Sequence, residues 1–200
     1  MFAEEDAAVK VLVVIGSPAQ KSVTATVMMQ IADRIKKRGG IVDVLDLSLE
    51  PLPLFNPETA FKAEYYAPVR ERVLKADVIV VGTPDYHGSI SSTLKNFLDH
   101  FWKEYAGKLI ASVVGSFEKG LTVTDQIRTV ARQSYAWSMP YAMAFQDKED
   151  VIDGKLLSET FTKRVDMFAR DVVVYGKVLA EQRKYDLESA EVGFMVRYRK

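Results

Sequence analysis

Apolar residues fall into two alternating patterns along the chain, short continuous runs and longer stretches with helical spacing. Val9 to Gly16 (VKVLVVIG) is short, rich in β-branched residues and followed by Pro18, which predicts a buried strand. Val27, Ile31 and Ile35 then recur every four residues, with Met28 beside them. A basic cluster (Arg34, Lys36, Lys37, Arg38) and Gly39-Gly40 follow, so this stretch predicts a helix with a defined stop. Ile41 to Leu47 reads as a second strand, and the three prolines between Glu50 and Glu58 mark a turn-rich excursion. Val69, Val73 and Ala76 suit a helix face, and Val78 to Gly82 (VIVVG) a third buried strand. Leu94, Phe97, Leu98 and Phe101 share one helical face, Lys108 to Gly115 predicts a fourth strand, and Leu121 to Tyr135 a helix with Ile127 and Val130 inward. Tyr141 to Phe145 predicts a fifth, shorter strand, and Asp153-Gly154 a turn. The last helix has the clearest period, through Phe161, Val165, Phe168, Val172, Tyr175 and Leu179.

Strands alternating with helices predict an α/β protein with a parallel sheet covered on both faces, and continuous apolar strands are what such a sheet requires. Five β-α units fit a flavodoxin-like, doubly wound sheet with strand order 2-1-3-4-5. No linker or repeat interrupts residues 1–185, which read as a single domain. Residues 186–200 differ in texture. Phe194, Val196 and Tyr198 alternate with Met195, Arg197 and Arg199, compatible with an extra strand. Two readings stay open there, a frayed basic tail and an arm that packs on a partner subunit.

Composition narrows the chemistry. With 27 Lys+Arg against 27 Asp+Glu the formal net charge is zero, which argues against a whole-protein basic field for nucleic acid. There is no cysteine, so disulfides, thiolate metal sites and a cysteine nucleophile are excluded, and two histidines, His87 and His100, make a histidine-rich metal centre improbable. No apolar run approaches the roughly 18 residues that suggest a membrane span. The N-terminal MFAEEDAA lacks the order of a signal peptide, so a cytoplasmic location is expected.

In an open α/β sheet, ligands bind beyond the carboxyl ends of the strands where strand order reverses, so three loops are candidates. The first, Gly16 to Thr24, lies between a strand and a helix. Ser17, Ser22 and Thr24 supply hydroxyls, Lys21 a charge, and the helix N-terminus amides, an anion cradle. It matches neither a Walker loop nor G-x-G-x-x-G, and an ordinary turn with Ser22 as N-cap accounts for the same residues. The second, Thr83 to Ile90 (TPDYHGSI), carries Tyr86 as a flat face, Gly88 for close approach and His87 as a titratable donor or plain surface polarity. The third is Gly115 to Gly120 (GSFEKG).

Taken together these loops resemble the NADPH-dependent FMN reductase family, which includes flavodoxin-like quinone, azo-dye and chromate reductases. The family's first loop reads approximately G-S-x-R-x-x-S, and here Gly16 to Ser22 is GSPAQKS. Its second reads approximately P-E-Y-N-G-S-I-P-G-x-L-K-N-x-I-D, and here Pro84 to His100 is PDYHGSISSTLKNFLDH, agreeing at Pro84, Tyr86, Gly88, Ser89, Leu94, Lys95, Asn96 and Asp99. LPLFNPE, from Leu52, resembles the family's proline-rich loop. The resemblance spans roughly Val9 to Ala180. It implies bound FMN, reduced by NADPH or NADH, that passes a hydride to a quinone-like or other small acceptor. By position, Ser17, Ser22, Val23 and Thr24 would hold the phosphate, with Lys21 nearby in place of the family arginine. Pro84, Asp85, Tyr86, His87 and Gly88 would line the isoalloxazine, and Gly115 and Ser116 its other edge. His87 stands where asparagine is common, with a ring-edge or proton-delivery role, and no residue is assigned as a certain catalyst. The resemblance also implies a homodimer or homotetramer. A flavodoxin-type electron carrier fits less well, because the charge is balanced and its T-x-T-G-x-T loop is missing; a non-enzymatic binding module on the same fold is a third class.

Overall fold

The computed structural model describes residues 8–152, 155–156 and 158–199. The main sheet is built from β1 (Lys10–Ile15), β2 (Ile41–Asp46), β3 (Val78–Pro84) and β4 (Leu109–Gly115), joined through α1 (Val23–Lys37), α2 (Tyr66–Lys75) and α3 (Ser92–Asp99). After α4 (Leu121–Gln133) come β5 (Trp137–Ser138), β6 (Met143–Phe145), a small antiparallel pair of β7 (Val151–Ile152) and β8 (Lys155–Leu156), and α5 (Glu159–Glu188). All pairings in the main sheet are parallel and the order is β2-β1-β3-β4-β5, with β6 also on β4. This is the flavodoxin-like, doubly wound arrangement that the alternation predicts.

Both faces of β1, β3 and β4 are buried, as continuous apolar runs demand. Val11, Val13 and Ile15 of β1 pack with Val27 and Ile31 of α1 and with Phe161, Val165 and Phe168 of α5. Leu12 and Val14 face the opposite way, onto Val73 of α2, Leu94 and Phe97 of α3 and Ile127 of α4. Each such side chain contributes about 1.5–3 kcal/mol by leaving water. These two cores hold the carboxyl ends of β1, β3 and β4 level, with Ile15 opposite Gly82 and Pro84 opposite Gly115.

Two expectations are corrected. The fifth strand position is not one strand over Tyr141 to Phe145 but two fragments. Trp137–Ser138 pairs with Leu109 and Ile110, and Met143–Phe145 with Val113 to Gly115. Pro140 lies between them and has no N–H to donate, so the ladder breaks there and resumes further on. The C-terminal segment forms no extra strand. α5 runs through Glu188, and Phe194–Tyr198 is a 3-10 turn that folds back on the domain. Met195 is its buried anchor, Phe194 stacks on Tyr135 with centroids 6.5 Å apart, and Arg197 lies 4.9 Å over the same ring. One inward side chain, flanked by partly exposed ones, suits a tight turn rather than a strand with every second residue buried. The turn proposed at Asp153-Gly154 and the acidic N-terminal residues lie outside the described residues.

Candidate active site

The three loops meet at the carboxyl edge of the sheet because buried polar groups tie them together. Gly16 donates its N–H to the Gly82 carbonyl at 2.7 Å, and a β-carbon there would come within 2.7 Å of both that oxygen and Leu94. Only glycine permits this approach. Ser91, fully buried, donates its hydroxyl to the Gly16 carbonyl, caps α3 by accepting from the Leu94 N–H (3.1 Å), and donates its own N–H to the Thr83 hydroxyl (3.0 Å). One residue, through its hydroxyl and its backbone N–H, thus joins the ends of β1 and β3 to the start of α3. In the first loop, Ser22 is the N-cap of α1 and accepts from the Ala25 N–H at 3.1 Å. The amides of Val23 and Thr24 precede the first intrahelical acceptor and are left for an outside partner. The Ser17 hydroxyl accepts from Ala19 N–H at 3.3 Å.

The second loop is a tight reversal. Tyr86 and Ser89 exchange backbone bonds of 3.0 and 3.1 Å, and His87 and Gly88 between them have φ of 57° and 73°. Two consecutive positive values define a type I′ turn. Histidine is among the non-glycine residues found more often in that region. The Asp85 carboxylate locks the turn, accepting the Gly88 N–H at 2.7 Å on one oxygen and the Ser116 hydroxyl at 2.8 Å on the other. Asp85 also donates its N–H to the Gly115 carbonyl (2.8 Å), so the second and third loops are fastened by main chain and side chain together. From α4, Gln126 accepts from the Ile90 N–H and the Ser89 hydroxyl, both at 3.1 Å, and reaches the Gly88 carbonyl at 3.3 Å. Sequence reasoning missed Ser91 and Gln126, since a serine in SISS and a helical glutamine carry no signal of their distant partners.

Between the loops lies a cleft of about 810 Å³. Ser17, Ser22, Val23 and Thr24 line one end, Pro84, Asp85, Tyr86, His87 and Gly88 one wall, and Gly115 and Ser116 the other. Lys21 is not part of the lining; it is exposed, with φ of 56°. Ala19 of the first candidate loop and Phe117, Glu118 and Gly120 of the third also line the cleft, and Leu121, Thr122, Phe145 and Asp147, outside the three loops, complete it. Tyr86 is 48% and Phe117 83% exposed, so the mouth offers aromatic surface to a ligand. Asp85, Glu118 and Asp147 are its charged side chains, and among the described residues no lysine or arginine lines it. No group of three or more His, Asp or Glu side chains among the described residues could hold a metal ion.

The remaining motif residues lie elsewhere. Asn96 accepts from the Phe55 N–H at 2.7 Å and donates to the carbonyls of Leu52 and Pro53, which pins the proline-rich loop to α3. His100 is buried, with Nδ1 2.7 Å from the Asn96 carbonyl and Nε2 3.0 Å from the Tyr65 hydroxyl. Lys95 pairs with Asp99 one turn along.

A family profile described as NADPH-dependent FMN reductase matches residues 9–150. An FMN-dependent NADPH-azoreductase of Staphylococcus haemolyticus (strain JCSC1435) is 28% identical over 178 residues, covering 83% of this chain and 94% of that protein. An NADPH azoreductase of Bacillus sp. (strain OY1-2) is 28% identical over 179 residues, covering 88% and 97%. Among solved structures, FerB, a flavoenzyme NAD(P)H:(acceptor) oxidoreductase from Paracoccus denitrificans, superposes with a TM-score of 0.67 at 18% identity, covering 86% of this chain and 97% of that one.

Proposed function

The chain belongs to the NADPH-dependent FMN reductase family, and from that premise we propose that it is an FMN-dependent NAD(P)H oxidoreductase acting on quinone-like or other small acceptors. One observation carries the reading: the hydroxyls of Ser17, Ser22 and Thr24 and the free first-turn amides of α1 converge on one end of the cleft. Neutral donors at a helix N-terminus are the donor set a phosphate monoester calls for, so the residues present fit FMN. Lys21 is left out of that set.

The ring system would lie between the Pro84–Gly88 wall and the Gly115–Ser116 edge, with His87 shaping its border. When bound, FMN supplies the redox chemistry, taking two electrons from a reduced nicotinamide and passing them to the acceptor. The chain's own work is to hold and orient. The Asp85–Ser116 and Asp85–Gly88 bonds fix the two walls before any ligand arrives, so little reorganisation accompanies binding. Tyr86, Phe117 and Leu121 offer apolar surface on which a second planar ring can stack and displace water.

The same reading includes a homodimer or homotetramer. Leu54 is 86% exposed, and beside it Phe55, Phe61, Tyr66 and Trp102 line an apolar groove on the α2–α3 side, surface suited to subunit contact. It also includes a cytoplasmic location; no helix among the described residues is long and apolar enough to cross a membrane. Purified protein reconstituted with FMN should be yellow. It should bleach anaerobically with NADPH or NADH and recover its colour on mixing with a quinone. Failure to retain flavin, or flavin that no nicotinamide reduces, would overturn the proposal.

A further inference from the structure

The longest helix among the described residues is α5, 30 residues from Glu159 to Glu188. Its inner face is fixed by the core: Phe161, Val165, Phe168 and Val172 are buried there, and Gly176 lets the helix close onto Val78 and Val9. The outer face is not wholly polar. Met167, Val174, Val178 and Tyr185 are exposed, at successive steps of seven, four and seven residues. With 3.6 residues per turn, these steps bring each side chain back to within about 20° of one line, and that line runs about 27 Å along the helix. The outer face of a surface helix is ordinarily polar, and a continuous apolar line on it marks a contact surface. The aromatic groove of α2 and α3 lies across the sheet, on its other face, so the stripe is a separate surface.

The charges beside the stripe say what covers it. Along one border run Lys163 and Arg170 in the first half of the helix, then Glu181 and Glu188 in the second, all four exposed. Both cations have partners within α5, Glu159 and Asp171, yet both keep at least half of the side chain in solvent, open to a second carboxylate. Two copies laid parallel on the stripe would set each of these charges against its own kind. Laid antiparallel about a two-fold axis level with Gly176, they bring unlike charges together. Arg170 then stands level with Glu181 of the partner subunit, and Lys163 with Glu188 of the partner subunit, each pair occurring twice by symmetry. The same register sets Met167 on Tyr185 of the partner subunit and Val174 on Val178 of the partner subunit, so one alignment satisfies seam and border together. Lys177 stands further round the helix near the axis, where its long stem lets the two ammonium groups diverge. We propose that the outer face of α5 is a two-fold contact surface on which a second copy of this chain lies antiparallel. The inference rests on the homo-oligomer part of the functional reading, to which it adds a face and a register, and is independent of the flavin assignment.

The test uses the full-length chain, whose lack of cysteine makes any introduced thiol unique. Met167→Cys and Tyr185→Cys chains carrying different tags are co-expressed and oxidised with copper phenanthroline. The antiparallel contact should yield a disulfide between the two kinds of chain. Chains of one kind should not link, because their thiols stand about 27 Å apart along the helices. Sedimentation equilibrium gives a second readout. Val174→Lys combined with Val178→Lys should weaken self-association about tenfold while circular dichroism stays that of the parent. Glu181→Lys leaves the seam intact but faces Arg170 of the partner subunit, and should weaken association about threefold at low salt and less at high salt. An associated protein that gives no mixed disulfide, or links like to like, overturns the α5 contact alone, as does association indifferent to the paired lysines. A wild-type chain that sediments singly across the concentration series overturns the homo-oligomer reading with it. A chain that associates only after residues 1–7 are deleted also overturns the proposal, since its own N-terminal segment then covers the stripe.

Discussion

Replacing Ser91 by alanine isolates the joint on which the cleft depends. The hydroxyl performs two buried tasks, capping α3 through the Leu94 N–H and donating to the Gly16 carbonyl. Loss of a serine cap costs about 1 kcal/mol, and a buried carbonyl left without its donor about 1–3 kcal/mol, so together about 2–4 kcal/mol. For a chain of this length each kcal/mol lowers the melting temperature by about 2–4 °C, so a fall of roughly 4–16 °C is expected. The neighbour Ser92 is exposed in the first turn of the same helix, and Ser92→Ala should move stability by no more than about 0.5 kcal/mol. Thermal unfolding followed by circular dichroism compares the two variants without any ligand. Because Gly16 leads directly into Ser17 and Ser22, FMN affinity by fluorescence titration should also weaken in Ser91→Ala and hold in Ser92→Ala. If the two variants melt together and bind FMN equally, the joint has no energetic meaning.

Other residues give independent checks. Lys108 is buried and donates its ammonium to the carbonyls of Val73, Leu74 and Ala76 beside the end of α2, while burial pulls its pKa from 10.5 down to about 7. With the folded value below the unfolded one, the unfolded chain binds more protons between those limits, so this lysine makes stability rise as pH goes from about 7 towards 10.5. Chemical denaturation of Lys108→Met across that window should lack the rise, and parallel profiles for the two proteins would contradict the assignment. The Tyr105 hydroxyl is buried with no hydrogen-bond partner among the described residues, so Tyr105→Phe should raise the urea midpoint by the equivalent of about 1 kcal/mol. At His87, asparagine should preserve both stability and FMN binding, whereas valine, strained at positive φ, should lose about 1–3 kcal/mol in a denaturant titration. Removal of residues 190–200 uncovers Met195's site beside Gly107 and Tyr135's stacked face, and should lower the melting temperature measurably.

Strand order and core were legible because apolar runs such as VKVLVVIG and VIVVG report burial on both faces, and that alone points to a covered parallel sheet. Positions of the three loops followed from topology. What periodicity cannot convey is a partner distant in sequence. Ser89, Ser91 and Ser92 look interchangeable in SISS, yet only Ser91 is swallowed by the joint. Gln126 resembles any surface residue of a helix until the Ser89–Ile90 backbone is brought beside it. The motif that carried the family resemblance proves to be two motifs. Pro84 to Gly88 faces the cleft, while Asn96 anchors the excursion after β2. The apolar run Tyr141 to Phe145 predicts one strand and says nothing of Trp137–Ser138, because only the register on β4 shows two fragments sharing that sheet position across Pro140.

The chain has two tryptophans, and the fold gives them separate surroundings. Trp137, in β5, meets the ring of Phe194 edge-on at 6.3 Å, so its indole senses whether the C-terminal turn is seated. Trp102 donates to the Gln133 carbonyl and stands 66% exposed beside the aromatic groove, so it senses whatever covers that side. Neither lines the cleft. Steady-state emission of single-tryptophan variants therefore separates two events in unlabelled protein. Release of the tail would red-shift Trp137, and burial of the groove would blue-shift Trp102, each read against an optical background that the flavin dims by energy transfer without sharing either contact.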